Sequence, residues 1–243
     1  MIDGGDQYDK DNVVKLIRQY KNEVDDWYIS HYHCDHVFAL IRILEEEDIF
    51  IKNLYYDFNV TEEILEKYGD EDNYLVARMK KAVGENRSKI GNVITPEKGN
   101  EFTTDGVKVK ILNNATFRAM ANMPNDSSIV FKVETPGKNI LFLGDLGAYG
   151  DALLKDEYFY NEIQDCEVVQ LGHHGQSGVS DKFYQSLPAM KVAIYCAPEW
   201  LFDCNSGKGV GSGSWLTLRT REIMRVLKIR KTCSLKYGRA ELG

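Results

Sequence analysis

The chain has 243 residues, 43% of them hydrophobic, enough apolar material for one well-buried core, so residues 1–243 read as a single domain. Its formal charge of -7, with acidic and basic residues interleaved, describes an ordinary surface and argues against a nucleic-acid reader, which is usually more basic. No apolar run approaches the roughly 18 to 20 residues of a membrane helix, so the reading excludes a channel or transporter and expects a soluble protein.

Five cysteines (Cys34, Cys166, Cys196, Cys204, Cys233) are scattered and lack CxxC spacing. That usage predicts reduced thiols and a cytoplasmic protein. The opening MIDGG begins directly on what reads as a strand end, with no room for a signal sequence. The expectation is that upstream sequence is missing or the chain starts late, and secretion is the alternative.

In chain order, DNVVKLIRQY carries a helical stripe through Val13, Val14, Leu16 and Ile17, with Asp11 or Asn12 as its cap. DDWYIS reads as a short buried strand, and DHVFALIRILEEE resumes helical spacing through Val37, Leu40, Ile41 and Leu44. IKNLYYDF is a strand, TEEILEKY opens a long charged helical region capped by Thr61, and GNVITP returns to extended chain. Period-two alternation around Asp-Gly and Pro-Gly turns in EFTTDGVKVKIL and SSIVFKVETPGKNILFLGD predicts antiparallel hairpins. CEVVQLG and KVAIYCAP are further strands, LTLRTREIMRVLKI a last amphipathic helix, and TCSLKY a closing strand. Helices recurring among hairpins predict an α/β fold of two sheets packed face to face and covered outside by helices.

Between the first strand and its helix lies HYHCDH, with His31, His33, Asp35 and His36 inside six positions. On extended backbone His31 and His33 project to one side and Tyr32 to the other, so two imidazoles can share one ion. Asp35 and His36 follow where the helix begins, where a carboxylate and a third imidazole can face a second ion. Zinc, manganese or iron suits such nitrogen and oxygen donors. A single histidine would more simply satisfy a core hydrogen bond. Four ligand-type side chains ending an apolar strand have no such reason to be there.

The other two histidines, His173 and His174, stand together in VVQLGHHGQSG, again at the end of an apolar strand. Asp145 follows another apolar strand in NILFLGDLG, flanked by Gly144 and, two positions on, Gly147. A carboxylate there can bridge two ions, although a turn aspartate is the ordinary role of such a residue.

HxHxDH, the later GD and the later HHG, in that order and over essentially the whole chain, resemble the metallo-β-lactamase superfamily. The resemblance implies a four-layer αββα sandwich with a dinuclear metal centre at one edge. IDGG resembles the second strand of that fold, which implies that the first N-terminal strand is missing here. Most members place a further histidine between the first cluster and the bridging aspartate. This chain has instead an N-D-x-S-[IL]-V stretch from Asn125, similar to the hydrolase domain of ComEC-type DNA-uptake channels and to bacterial phosphorylcholine esterases. Where the uptake relatives carry a late Gly-His-Pro, this chain has GSGSW.

The resemblance therefore implies a metal-dependent hydrolase of phosphoester or phosphodiester substrates, acting through a hydroxide held between two divalent ions, zinc first, with manganese or iron as alternatives. His31, His33 and Asp145 hold one ion, helped by Asn125 or Asp126; Asp35, His36, Asp145 and His174 hold the other. Asp35 orients the water or takes its proton, and His173 contacts the substrate or its leaving group. Asn125 and Ser128 become substrate contacts. In NNATFRAMANMP, Arg118 can pair with a phosphate and Phe117 can cover a ligand; equally, Phe117 and Met120 can pack into the core. The long glycine-rich stretch APEWLFDCNSGKGVGSGSW reads as a lid or as a surface excursion. The substrate is a small molecule or a surface polymer. Two readings compete: a nuclease, and a non-catalytic binding module whose metal site has degenerated.

Overall fold

The computed structural model describes residues 1–118 and 122–234. The chain divides into two compact units, residues 1–97 with 114–129 and residues 98–113 with 130–243.

The first unit is built from parallel crossovers. Helix α1 (Lys10–Ile17) leads into strand β1 (Glu23–Tyr28), helix α2 (Cys34–Glu46) and strand β2 (Phe50–Tyr55). Helices α3 (Glu62–Tyr68) and α4 (Tyr74–Glu85) precede strand β3 (Ile90–Ile94), and the one-turn helix α5 (Met123–Asp126) follows much later. The sheet has the order β1-β2-β3 with both pairings parallel, each pair joined by the helical crossover that parallel neighbours need. The α2 stripe is buried through Val37, Leu40, Ile41 and Leu44, packing with Trp27, Ile51, Leu54 and Met79 in one cluster.

The predicted elements of this unit are present, with two corrections. The residue preceding α1 is Asp9, ahead of the expected Asp11 or Asn12, and its carboxylate accepts from the Asp6 N–H instead of capping the helix. The long charged helix breaks at Gly69–Asn73 into α3 and α4. Thr61 does cap α3, its Oγ1 accepting from Ile64 N–H at 3.3 Å.

The second unit carries a seven-stranded sheet of order β10-β9-β8-β7-β6-β5-β4 among the described residues. Its antiparallel half is the predicted hairpins: β4 (Glu101–Thr104), β5 (Val107–Ile111), β6 (Phe131–Glu134) and β7 (Asn139–Phe142). The β4–β5 turn is Asp105-Gly106, both at positive φ (50° and 79°), the geometry a two-residue hairpin turn demands. Helices α6 (Gly150–Leu153) and α7 (Glu157–Glu162) then connect to the parallel half. It comprises β8 (Val168–Gln170), helix α8 (Asp181–Gln185), β9 (Val192–Tyr195), helices α9 (Glu199–Phe202) and α10 (Thr217–Val226), and β10 (Lys231–Ser234). The closing strand TCSLKY is described only to Ser234, and Leu235–Tyr237 lie outside the described residues.

A second apolar cluster, with Leu141, Phe159, Val169, Phe183 and Tyr195, forms the core here. The glycine-rich stretch is tied down: Asn205 Oδ1 accepts from Gly207 and Gly209 N–H at 2.9 and 3.0 Å, and Trp215 packs against this core. Phe117 packs on the core of the first unit, while Met120 lies outside the described residues.

Candidate metal centre

In the first unit β1 ends at Tyr28 and α2 begins at Cys34, so the histidine cluster occupies the connecting loop and the first helical turn. The ring centroids of His31 and His33 are 4.8 Å apart and those of His31 and His36 are 4.2 Å apart. Asp35 Oδ1 lies 3.8 Å from His36 Nε2. His31 and His36 are 1% and 5% exposed, an unfavourable setting for imidazole unless its polar atoms are used.

The hydrogen bonds assign the ring nitrogens. Asp3 accepts three bonds: Ser30 N–H to Oδ1 at 2.7 Å, and Ser30 O–H and His36 Nδ1–H to Oδ2 at 2.8 Å each. Ser30 has then given away its only proton, so its oxygen accepts from His31 Nδ1–H at 3.0 Å. Both rings therefore carry their lone pair on Nε2. His33 is the reverse. Its Nε2–H donates to Asp70 Oδ2 at 2.8 Å, which puts the lone pair on Nδ1. Burial pushes the Asp70 carboxyl up, but the hydrogen bond from His33, with backbone N–H donors, outweighs it and holds the carboxyl below its ordinary value. Cys34, at the start of α2, stays a thiol: burial and the neighbouring Asp72 push it up to about 12.

In the second unit Asp145 is 1% exposed in the turn after β7. His173 and His174 follow β8 with φ of 50° and 56°, both left-handed. The turn needs close backbone approach: a Cβ on Gly172 would stand 2.6 Å from the Leu146 carbonyl oxygen. His174 Nδ1–H donates to the Cys196 carbonyl at 2.8 Å, and its Nε2 lies 3.1 Å from Asp145 Oδ2. His173 Nε2 is 3.7 Å from the same oxygen. With Nδ1 committed to a carbonyl, a neutral His174 turns a lone pair toward a carboxylate oxygen, an arrangement that calls for a cation or a proton between them.

Each unit thus gathers ligand-type side chains at a strand end, and these His and Asp groups can bind metal. Of the other expected residues, Asn125, Asp126 and Ser128 are buried in the first unit at and beside α5. Arg118 is exposed. Asn125 Nδ2 donates to Asn122 Oδ1 at 3.1 Å, whereas its own Oδ1 is buried with no hydrogen-bond partner among the described residues. Asp3, Ser30, Asp70 and Gln170, which the sequence reading did not single out, make hydrogen bonds that brace these histidines and the turn before Asp145. Gln170, a buried amide in an otherwise apolar strand, was the one with a visible signal.

The family model of the metallo-β-lactamase superfamily matches residues 1–198. The chain belongs to this superfamily. Its two sheets with helices are the metallo-β-lactamase fold. Among solved structures, the metallo-β-lactamase-fold protein YhfI from Bacillus subtilis is 10% identical, with 96% of this chain and 82% of that one covered and a TM-score of 0.51. A metallo-β-lactamase with a HARLDQ motif from Cronobacter sakazakii is 15% identical, with 69% and 66% covered and a TM-score of 0.40. A diphosphatase of the PhnP family is 11% identical, with 79% and 66% covered and a TM-score of 0.45. This chain spans slightly less than two thirds of the Cronobacter protein's length. The likeness to these structures is one of fold. No curated protein matches the sequence. No helix among the described residues is long and apolar enough to cross a membrane.

Proposed function

We propose that residues 1–243 act as one metal-dependent hydrolase domain of phosphoester or phosphodiester substrates. In this reading the two clusters jointly hold two divalent ions, zinc first. His31 Nε2, His33 Nδ1 and Asp145 serve one position; Asp35, His36 Nε2, Asp145 and His174 Nε2 serve the other. The observation that carries the reading is the His174–Asp145 contact at 3.1 Å with His174 Nδ1 already engaged. The nitrogen-and-oxygen donor set fits zinc, manganese or iron without thiolate. Asn125 supplies a neutral oxygen where most members of the superfamily have an imidazole, and its buried, unbonded Oδ1 supports that assignment.

Bound there, such ions make water acidic enough to attack near neutral pH and neutralise charge developing on a phosphoryl oxygen. The protein's own residues do the rest. Asp35, whose side chain is 43% exposed, accepts the proton of the attacking water, and His173 donates to the leaving oxygen. Arg118 and Ser128 contact the phosphate. The phosphoester assignment rests on the N-D-x-S-[IL]-V stretch and its likeness to the ComEC-type and phosphorylcholine esterase branch. The five free thiols favour a reducing compartment such as the cytoplasm.

The test is metal analysis coupled to a hydrolysis screen of phosphomonoesters, phosphodiesters, lactams and thioesters, with Asp145→Ala as control. Close to two ions per chain and phosphoester turnover lost in the variant are expected. Fewer than one ion per chain, with His174 a protonated partner of Asp145, would favour the binding module instead. Salt-dependent binding and cleavage of single-stranded nucleic acid would favour a nuclease.

A further inference from the structure

The break between α3 and α4 is a five-residue loop, Gly69–Asn73, and it grips the histidine loop at three successive residues. Asp70 Oδ2 accepts from His33 Nε2–H at 2.8 Å, Asp72 Oδ2 from the Cys34 backbone N–H at 2.8 Å, and Asn73 Oδ1 from the Tyr32 hydroxyl at 3.5 Å. The loop is itself braced. Asp70 Oδ1 accepts from Asp72 N–H at 3.0 Å, Asn73 Oδ1 accepts from Asp70 N–H at 3.1 Å, and Asn73 Nδ2 donates to the Leu65 carbonyl at 2.8 Å. One carboxylate is therefore divided: Oδ1 closes the loop and Oδ2 holds the imidazole.

The three imidazoles of this unit are braced unequally. His31 and His36 share a network with Asp3 and Ser30, and the Ser30 side of it is 2% exposed. His33 depends on a loop carboxylate that is 32% exposed. We infer that Asp70 is the positioning residue of His33, locking it as the Nε2–H tautomer with Nδ1 presented, so that loop Gly69–Asn73 sets the affinity of the His31/His33 position separately from the Asp35/His36 position. The affinity part rests on the proposed function, which makes His33 a ligand; the tautomer part does not. Outer carboxylates on ligating histidines typically carry about 10- to 100-fold in metal affinity.

The experiment uses the full chain, with Asp70→Ala compared with Asp72→Ala, which loosens the same loop but leaves the His33 contact. Long-range nitrogen–proton correlation on the metal-free protein reads the His33 tautomer, and calorimetric zinc titration reads the two positions. The expected result is an Nε2–H tautomer in the wild type that becomes a mixture in Asp70→Ala and persists in Asp72→Ala. One zinc affinity should fall about 10- to 100-fold in Asp70→Ala while the other holds. A wild-type His33 protonated on Nδ1, or Asp72→Ala reproducing the whole effect, overturns the inference. A wild type that takes up no zinc but shows the tautomer change supports the positioning role and overturns the metal reading instead.

Discussion

Gln170 Nε2 donates to the carbonyl of Gly144 at 3.2 Å, one residue before Asp145. The same amide donates to the Leu171 carbonyl at 2.6 Å, and its Oε1 accepts from Leu143 N–H at 2.9 Å. A strand residue thus shapes the turn that carries the candidate bridging carboxylate. Gln170→Leu keeps the volume but removes these three bonds, leaving the Gly144 carbonyl only the His173 N–H at 3.1 Å. The expected loss is roughly 1–3 kcal/mol of folding stability, read as a lower midpoint in urea denaturation.

Asp3 makes the corresponding prediction for the first unit. Its carboxylate is the common acceptor for Ser30 and His36, so Asp3→Ala frees both rings that depend on it. Zinc affinity is expected to fall by about 10- to 100-fold, measured by competition with a coloured chelator. Unchanged affinity would show that the ring orientations are set elsewhere.

Gly172→Ala tests the turn under the paired histidines. The added methyl would meet the Leu146 carbonyl oxygen at 2.6 Å and Val179 N at 3.4 Å, both backbone atoms that cannot swing aside. About 1–3 kcal/mol of destabilisation is expected from this overpacking. Guanidinium unfolding of the purified variant measures it.

Alkaline stability follows from Cys166. Burial pushes its thiol up to about 12, above the unfolded value near 8.5. The folded state therefore keeps a proton that the unfolded chain gives up. Its contribution is fully present below about pH 8.5 and is lost as pH rises toward 12. Unfolding free energy should decline between pH 8 and pH 10.5, with a shallower slope in Cys166→Ala. Equal slopes in the two proteins would assign the decline to other groups.

The candidate site was legible in part because its chemistry is local in the chain. HYHCDH places four donors within six positions, and the pair in LGHHG sits where an apolar strand stops. The hairpins were legible because Asp105-Gly106 and the β alternation leave little else for that segment to do. The supports were not, because they are set by distant contacts. Asp70 reaches His33 across 37 positions, and nothing in GDEDN distinguishes it from a solvated acidic turn. The break between α3 and α4 was hidden for a related reason: the charged run continues through it, and only Gly69 hints at a stop. The parallel sheet of the first unit escaped too, since short apolar runs do not state their direction.

The left-handed backbone at His173 and His174 separates folding from chemistry. Each non-glycine residue held there costs about 1–2 kcal/mol, so a chain with glycine at these positions would fold more favourably. On an extended strand, consecutive rings would point to opposite faces. The unfavourable turn lets sequence neighbours converge instead, bringing both Nε2 atoms within 3.7 Å of a single oxygen. The corner thus spends folding stability on convergence, setting two imidazoles against one buried carboxylate where a relaxed strand end would have parted them.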